Sequence, residues 1–264
     1  MKIPYLNRAP MVAVLRLQGM IASGGNPGRL NDAGLGPLIE AAFRRGKPKA
    51  VALVINSPGG SPVQSALIAA RIRRLAEETD VPVTAFVEDV AASGGYWLAT
   101  AADEIFADAN SIVGSIGVIS AGFGLQEMIA KLGVERRVYT SGKSKSQLDP
   151  FRPENPEDVA RLKALQNDVH ESFITQVKTR RGAKLSDNDE LFTGAFWLGG
   201  QGVDLGLVDG IGHLVPVMKA RYGDKTRFRA YGMRKPLLAR FGLSLMGDAL
   251  ALAEERALYA RFGI

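Results

Sequence analysis

Val51-Ala52-Leu53-Val54-Ile55 is an unbroken apolar run that stops at Asn56-Ser57-Pro58-Gly59-Gly60, and an apolar-rich helical pattern follows from about Gln64 to Glu78. An apolar run of this length bounded by turn residues reads as a buried strand. Similar alternation continues along the chain. Strands are expected at Val12–Leu17, Ala50–Ile55, Val83–Phe86, Glu104–Ala107 and Glu135–Thr140. Helices are expected at about Leu35–Arg45, Gln64–Glu78, Gly94–Ala102, Leu125–Leu132 and Pro156–Arg181, with a shorter pattern at Gly199–Leu205. Ser23–Gly28 reads as a glycine-rich loop and Ser111–Ile119 as a further segment of the core. Strands alternating with helices imply βαβ units and mainly parallel pairing, hence an α/β fold. No tandem repeat is present.

Two of the strand–helix junctions carry chemistry. Paired glycines at Gly59-Gly60 expose backbone N–H groups at a helix start, where the dipole is positive. Donors of this kind suit a developing oxyanion, although an ordinary strand-to-helix turn has the same composition. Ala91-Ala92-Ser93-Gly94-Gly95-Tyr96-Trp97 sets a serine among small residues just after the mainly apolar Val81–Val90. The Ser93 hydroxyl can there meet a substrate carbonyl, with the Gly94 amide close behind, as a nucleophilic serine requires. A third segment, Ser141-Gly142-Lys143-Ser144-Lys145-Ser146, contains G-K-S. It is not a phosphate loop, because that motif needs glycine at the position held by Arg137.

A serine nucleophile needs a base. The chain has two histidines, His170 in a charged helical stretch and His213 after Gly210-Ile211-Gly212, and neither has a constellation suited to the role. A neutral lysine is the recognised alternative, which leaves Lys143 and Lys145 as candidates.

In this order, Asn56-Ser57-Pro58-Gly59-Gly60, Ala91-Ala92-Ser93-Gly94-Gly95-Tyr96, Gly114-Ser115-Ile116-Gly117-Val118, Lys145-Ser146 running into Asp149-Pro150-Phe151, and Gly206-Leu207-Val208-Asp209 resemble the signal peptide peptidase A (protease IV) serine peptidases. The resemblance runs from about Val12 to Val217. It implies the Clp-protease/crotonase fold, a superhelix of β-β-α units. It further implies Ser93 as nucleophile, Lys145 as general base and Ser115 as the serine that hydrogen-bonds and orients that lysine. The Gly94 amide and the Gly59-Gly60 pair, Gly60 foremost, match the oxyanion hole. A ring- or dome-shaped homo-oligomer is implied as well. An ordinary lysine has a pKa of roughly 10.4, so a base working near neutrality needs about 4 kcal/mol of differential destabilisation of its ammonium form. Burial in an apolar site supplies shifts of that size. Many members carry an N-terminal transmembrane anchor or fuse two copies of the fold; neither is expected of this chain.

With 264 residues, 46% hydrophobic, the chain has material for a full core. The absence of cysteine excludes disulfides and a thiolate nucleophile, and with two isolated histidines no metal site is expected. No cofactor is expected either. The net charge of +6 is scattered, not interleaved with stacking aromatics, so nucleic acid is not an expected partner. Met1–Arg8 lacks the apolar core of a signal peptide. The uncharged stretches Ala50–Ala70 and Ala109–Gln126 are broken by Gly, Ser, Pro or Asn and read as packed core, not membrane spans. A cytoplasmic protein is expected, with peripheral membrane contact as an option.

The division expected is a peptidase domain over 1–217 and an extension over 218–264. Met218–Arg240 reads as basic and loop-like. Met246, Leu250, Ala253, Ala257 and Leu258 then share one helical face, suited to packing on the domain, a neighbouring subunit or a membrane surface. The function expected is an ATP-independent serine endopeptidase with a Ser–Lys dyad, cleaving signal-peptide remnants or other apolar peptides. The alternatives are a crotonase-like acyl-CoA enzyme, or a non-catalytic membrane-associated scaffold of the same fold.

Overall fold

A computed structural model describes residues 9–24, 29–232, 256–257 and 259–263. In chain order the first elements are β1 (Met11–Gln18), α1 (Asp32–Arg44), β2 (Ala50–Ser57), α2 (Pro62–Thr79), β3 (Val83–Ala92), α3 (Gly94–Ala99), β4 (Glu104–Ala107) and β5 (Ile112–Gly114). They are followed by α4 (Gln126–Lys131), α5 (Pro156–Arg181), β6 (Phe196–Leu198), α6 (Gly199–Asp204), β7 (Gly210–Ile211), α7 (Leu214–Tyr222) and β8 (Arg227–Tyr231). The chain forms two compact units, Met1–Ile116 with Ile174–Ile264, and Gly117–Phe173.

The first unit is built on an eight-stranded sheet in the order β6-β5-β3-β2-β1-β8, with β4 pairing both β3 and β7. Its pairings are parallel except β5 with β6. All eight residues of β2 are buried, as its lack of polar alternation requires. Val12, Val14, Ala52, Val54 and Phe86 pack on Met218, with Leu214 and Val217 of α7 beside it. The alternate residues, among them Leu15, Leu17, Leu53 and Ile55, are fully buried and point to the other side of the sheet. There α1 and α3 meet the strands and α2 packs between these two helices. Each fully buried Leu or Ile contributes on the order of 1.5–3 kcal/mol.

The helices begin where their caps allow. Asn31 accepts from the Gly34 amide to cap α1, and Ser61 accepts from the Gln64 amide to cap α2, whose first residue is Pro62. Two 2.7 Å bonds from Arg71 to the Asp32 carboxylate tie α2 to the start of α1.

Several sequence expectations change here. β3 runs to Ala92 instead of stopping at Phe86, because Glu88 and Asp89 fall at an irregularity in its register with β2 and not at the end of the strand. Residues 218–231, expected to be loop-like, carry the rest of α7 and all of β8. β8 pairs in parallel with β1 and brings Arg227 and Arg229 to a sheet edge, where charge guards against further pairing. The expected helix over Gly94–Ala102 ends at Ala99. The expected C-terminal helix face, Ala257 apart, lies outside the described residues.

The second unit contains α4 and the first part of α5. Its segment 135–140, expected as a strand, has no regular structure, since nothing within the unit offers a ladder for it to join. Asp149 organises its neighbours instead. Its carboxylate accepts from the Phe151 amide at 3.0 Å and from Arg136 at 3.2 Å, and Leu125 donates to the Pro150 carbonyl at 2.6 Å. The bond from the Phe151 amide, with help from Arg136, holds the Asp149 carboxyl below its ordinary value.

Candidate active site

Ser93 occupies the turn between β3 and α3 with φ 52° and ψ −124°. A positive φ is costly for a residue with a Cβ, on the order of 1–3 kcal/mol, and persists only where the surroundings enforce it. The enforcing bonds are present. The Ser93 amide donates to the Gly114 carbonyl at 2.8 Å, and the Ser93 carbonyl accepts from Trp97 at 3.0 Å. Such a sharp strand-to-helix turn lifts the side chain at its apex clear of the sheet, the conformation used by nucleophilic serines. Ala91, Ala92, Gly94 and Gly95 around it are buried, while Ser93 itself is partly exposed.

The small residues are required by space. A Cβ on Gly94 would collide with the Ser65 hydroxyl, and one on Gly95 with the Ser57 carbonyl. α3 is held from below by the buried Tyr96, whose hydroxyl donates to the Leu207 carbonyl at 2.7 Å, and burial pushes that phenol well above its ordinary pKa. Asp209, two residues on, accepts from Arg181 at 2.7 Å, Lys184 at 2.6 Å and the Ile105 amide at 2.7 Å. The Gly206–Asp209 motif is therefore a structural brace under the candidate site.

The Ser57–Ser61 loop meets this turn. A Cβ on Gly59 would lie 2.7 Å from the Gly94 nitrogen and 2.8 Å from the Ser93 Cβ, so this glycine is what lets the two junctions touch. Its amide is already used: it donates to the Ser57 hydroxyl at 3.2 Å, and that hydroxyl donates to the Gly19 carbonyl at 2.7 Å. Ile21 donates to the Gly59 carbonyl and accepts from the Ser61 amide, each at 2.8 Å. This parallel bridge turns the intervening Gly60 amide to the opposite side. It is exposed and, among the described residues, meets no backbone or side-chain acceptor. Gly94, as the first residue of a helix, likewise has no intrahelical acceptor for its amide. Gly60 and Gly94 thus offer free N–H groups beside Ser93, while Gly59 does not.

Ser115 also belongs to this cluster. Ala92 pairs with Gly114 across the β3–β5 ladder, so Ser93 and Ser115 are the residues that follow its last pair. Ser115 has φ 54°, and its amide donates to the Ala195 carbonyl at 2.7 Å.

Lys145 and Lys143 lie in the second unit. Lys145 is exposed and its amide donates to the Gly142 carbonyl at 3.2 Å; burial within an apolar site, expected for the base, is not what this unit gives it. Lys143 pairs with Glu157 at 3.2 Å, both well exposed. Two contributors are missing from the sequence expectations. Ser57 stands in the Asn56–Gly60 motif with no role expected of it, and its place between a strand and a glycine pair is the available signal. Ile21 works through its backbone, which no residue type announces.

Residues 76–222 match Peptidase family S49. A Brucella melitensis protein named Na(+)/H(+) antiporter NhaA is 49% identical over 96% of this chain, but the match takes in 37% of that relative. A putative signal peptide peptidase SppA of Enterococcus faecium is 34% identical over 62% of this chain and 48% of its own length. The chain therefore spans less than half the length of either relative. Among solved structures, a point mutant of the 1510-N membrane-bound stomatin-specific protease superposes with a TM-score of 0.52 at 15% identity, covering 86% of this chain and 99% of that one. The fold is accordingly the Clp-protease-like α/β fold expected from the motifs. With matched residues covering more than half its length, the chain belongs to peptidase family S49.

Proposed function

We propose that this chain is a serine endopeptidase that works without ATP, with Ser93 as nucleophile and Lys145 as general base. The observation that carries the reading is the strained Ser93 turn set beside the free amides of Gly60 and Gly94. In this scheme neutral Lys145 takes the Ser93 proton as Oγ attacks the scissile carbonyl. The tetrahedral oxyanion is held by the Gly60 and Gly94 N–H groups. Lys145 then protonates the leaving amine, the C–N bond breaks, and water deprotonated by the same lysine releases the acyl group. Ser115 orients the lysine, since a hydroxyl can both accept from and donate to an amine nitrogen.

The substrates proposed are apolar peptides, signal-peptide remnants among them, in keeping with the name of the Enterococcus relative. A homo-oligomer is proposed from the second unit. Phe123 is 84% exposed and Tyr139 90%, with Leu132 and Val134 also exposed, an apolar surface that copies of the chain would cover. Among the described residues no helix is long and apolar enough to cross a membrane.

A fluorophosphonate probe tests the reading. Labelling of the wild-type chain, lost in Ser93→Ala together with hydrolysis of an apolar peptide, is the expected result. A folded chain that takes no label would favour the acyl-CoA enzyme or the non-catalytic scaffold, neither of which needs a nucleophilic Ser93.

A further inference from the structure

α3 starts at the candidate nucleophile and is too short to hold itself. It has six residues, about 9 Å of helix, and isolated helices shorter than about 12–15 residues are marginal in water. Its N-cap is Ser93. A serine at that position ordinarily turns its hydroxyl back onto a first-turn amide, but Ser93 makes no such bond. The hydroxyl is left for chemistry, and the end of α3 that carries the free Gly94 amide goes without its usual fastening.

The fastening is at the other end. The chain leaves α3 through Thr100, Ala101 and Ala102, all buried. Arg180 of α5 donates from Nε to the Thr100 carbonyl at 2.8 Å and from Nη2 to the Ala102 carbonyl at 3.0 Å. Arg73 of α2 donates to the Ala101 carbonyl at 3.2 Å, and Gln176 of α5 to the Thr100 hydroxyl at 3.1 Å. Two guanidinium groups thus converge on one helix end. Burial, and then the charge of Arg73, push the Arg180 pKa down. The pair stays together because its N–H groups are taken by the carbonyls and because Asp103 lies 2.8 Å from Arg73 and 3.5 Å from Arg180. A planar fork spans two carbonyls from one fixed position, which a lysine ammonium does not. We propose that Arg180 is a positioning residue for the reaction: by gripping the Thr100 and Ala102 carbonyls it sets the axis of α3, and with it the aim of the Gly94 amide at the oxyanion. The proposal rests on the peptidase reading for its catalytic consequence, and on the bonds above for the grip itself.

Arg180→Ala and Arg180→Lys in the full chain test it. Misplacing a catalytic group by about 1 Å costs up to roughly 10²-fold, so Arg180→Ala should lower kcat on an apolar peptide by about 10- to 100-fold with KM unchanged. Arg180→Lys, which keeps the charge without the fork, should fall between it and wild type. A peptide aldehyde separates aim from folding, because its hemiacetal with Ser93 sets an oxygen where the Gly94 amide points. Its affinity should weaken across the series by the same factor as kcat. Hydrogen exchange at the amides of residues 97–102 should be faster in Arg180→Ala than in wild type. Wild-type kcat in a folded Arg180→Ala overturns the proposal. So does a loss confined to KM, or a loss of kcat with aldehyde affinity unchanged. If Arg180→Ala does not fold, Arg180→Lys decides on the same readings. Unchanged exchange removes the grip. If the wild-type chain is itself inactive and unlabelled by fluorophosphonate, the peptidase reading fails, and exchange at residues 97–102 still decides whether Arg180 holds α3.

Discussion

The amide of Ser93 donates to the carbonyl of Gly114 at 2.8 Å. This one bond closes the β3–β5 ladder beyond its last paired residues and holds Ser93 at positive φ. Gly114 itself has φ 100°, and a Cβ there would sit 2.9 Å from the Trp197 ring. Gly114→Val therefore displaces the strand that fixes Ser93. Peptide hydrolysis and fluorophosphonate labelling should both fall by at least about ten-fold, on the scale of misplaced catalytic groups. Labelling at the wild-type rate would mean that the ladder does not set the serine.

Gly60 gives a sharper test of the oxyanion assignment. With φ 139° and the Ile21 carbonyl against the site of a Cβ, Gly60→Ala must shift the loop and its amide. Loss of one such donor costs about 10²–10³ in kcat. Steady-state kinetics should show a drop of that order in kcat with a smaller change in KM. A variant with normal kcat would remove Gly60 from the site.

Ser57→Ala leaves two buried partners, the Gly59 amide and the Gly19 carbonyl, without their bonds. Buried groups left unpaired cost about 1–3 kcal/mol, so the melting temperature should fall by several degrees. Because the lost bonds hold the Gly60 loop, kcat should fall as well. Unchanged thermal stability would show that water replaces the hydroxyl.

Asp209 makes acid stability a local property. Burial pushes its carboxyl up, but bonds from Arg181, Lys184 and the Ile105 amide outweigh that and hold it below its ordinary 3.8. A carboxyl depressed in the folded state binds its proton more readily in the unfolded chain, so stability rises with pH. The contribution is complete above the unfolded value and is lost as pH falls below it through the folded one. Asp209→Asn should therefore flatten the acid limb of a denaturation series below about pH 4. Asp209→Ala, which strands the buried Arg181, should cost about 3–5 kcal/mol at neutrality. An acid limb unchanged in Asp209→Asn would place the titration elsewhere.

What the sequence discloses depends on how each element earns its place. β2 and α5 are legible because composition alone decides them: one is apolar from Ala50 to Ile55, the other a long uninterrupted helical stretch. β6 and β7, of three and two residues, are too short for any periodicity to register. β8 reads Arg-Phe-Arg-Ala-Tyr, where edge charges mask a strand that only its partner β1 defines. Residues 135–140 fail the other way, with strand-forming side chains and no ladder. At the site, small residues crowd around Ser93 because the backbones need to touch, so the motif is visible in the sequence.

Lys143 is engaged with Glu157 at 3.2 Å on an exposed surface, where such pairs contribute about 0–1 kcal/mol. Lys143→Ala should cost little in rate or stability. In the proposed scheme Lys145 carries every proton transferred. Lys145→Ala should therefore abolish hydrolysis, by at least the roughly 10²–10⁴-fold that general acid–base catalysis supplies. Ser115→Ala removes a hydroxyl that orients the base and should fall between the two. Lys145→Arg separates charge from basicity: it keeps the cation but cannot give up its proton, so it should be as inactive as Lys145→Ala. Turnover measured across this series decides the assignment. An inactive Lys143→Ala beside an active Lys145→Ala would move the base two positions along the chain.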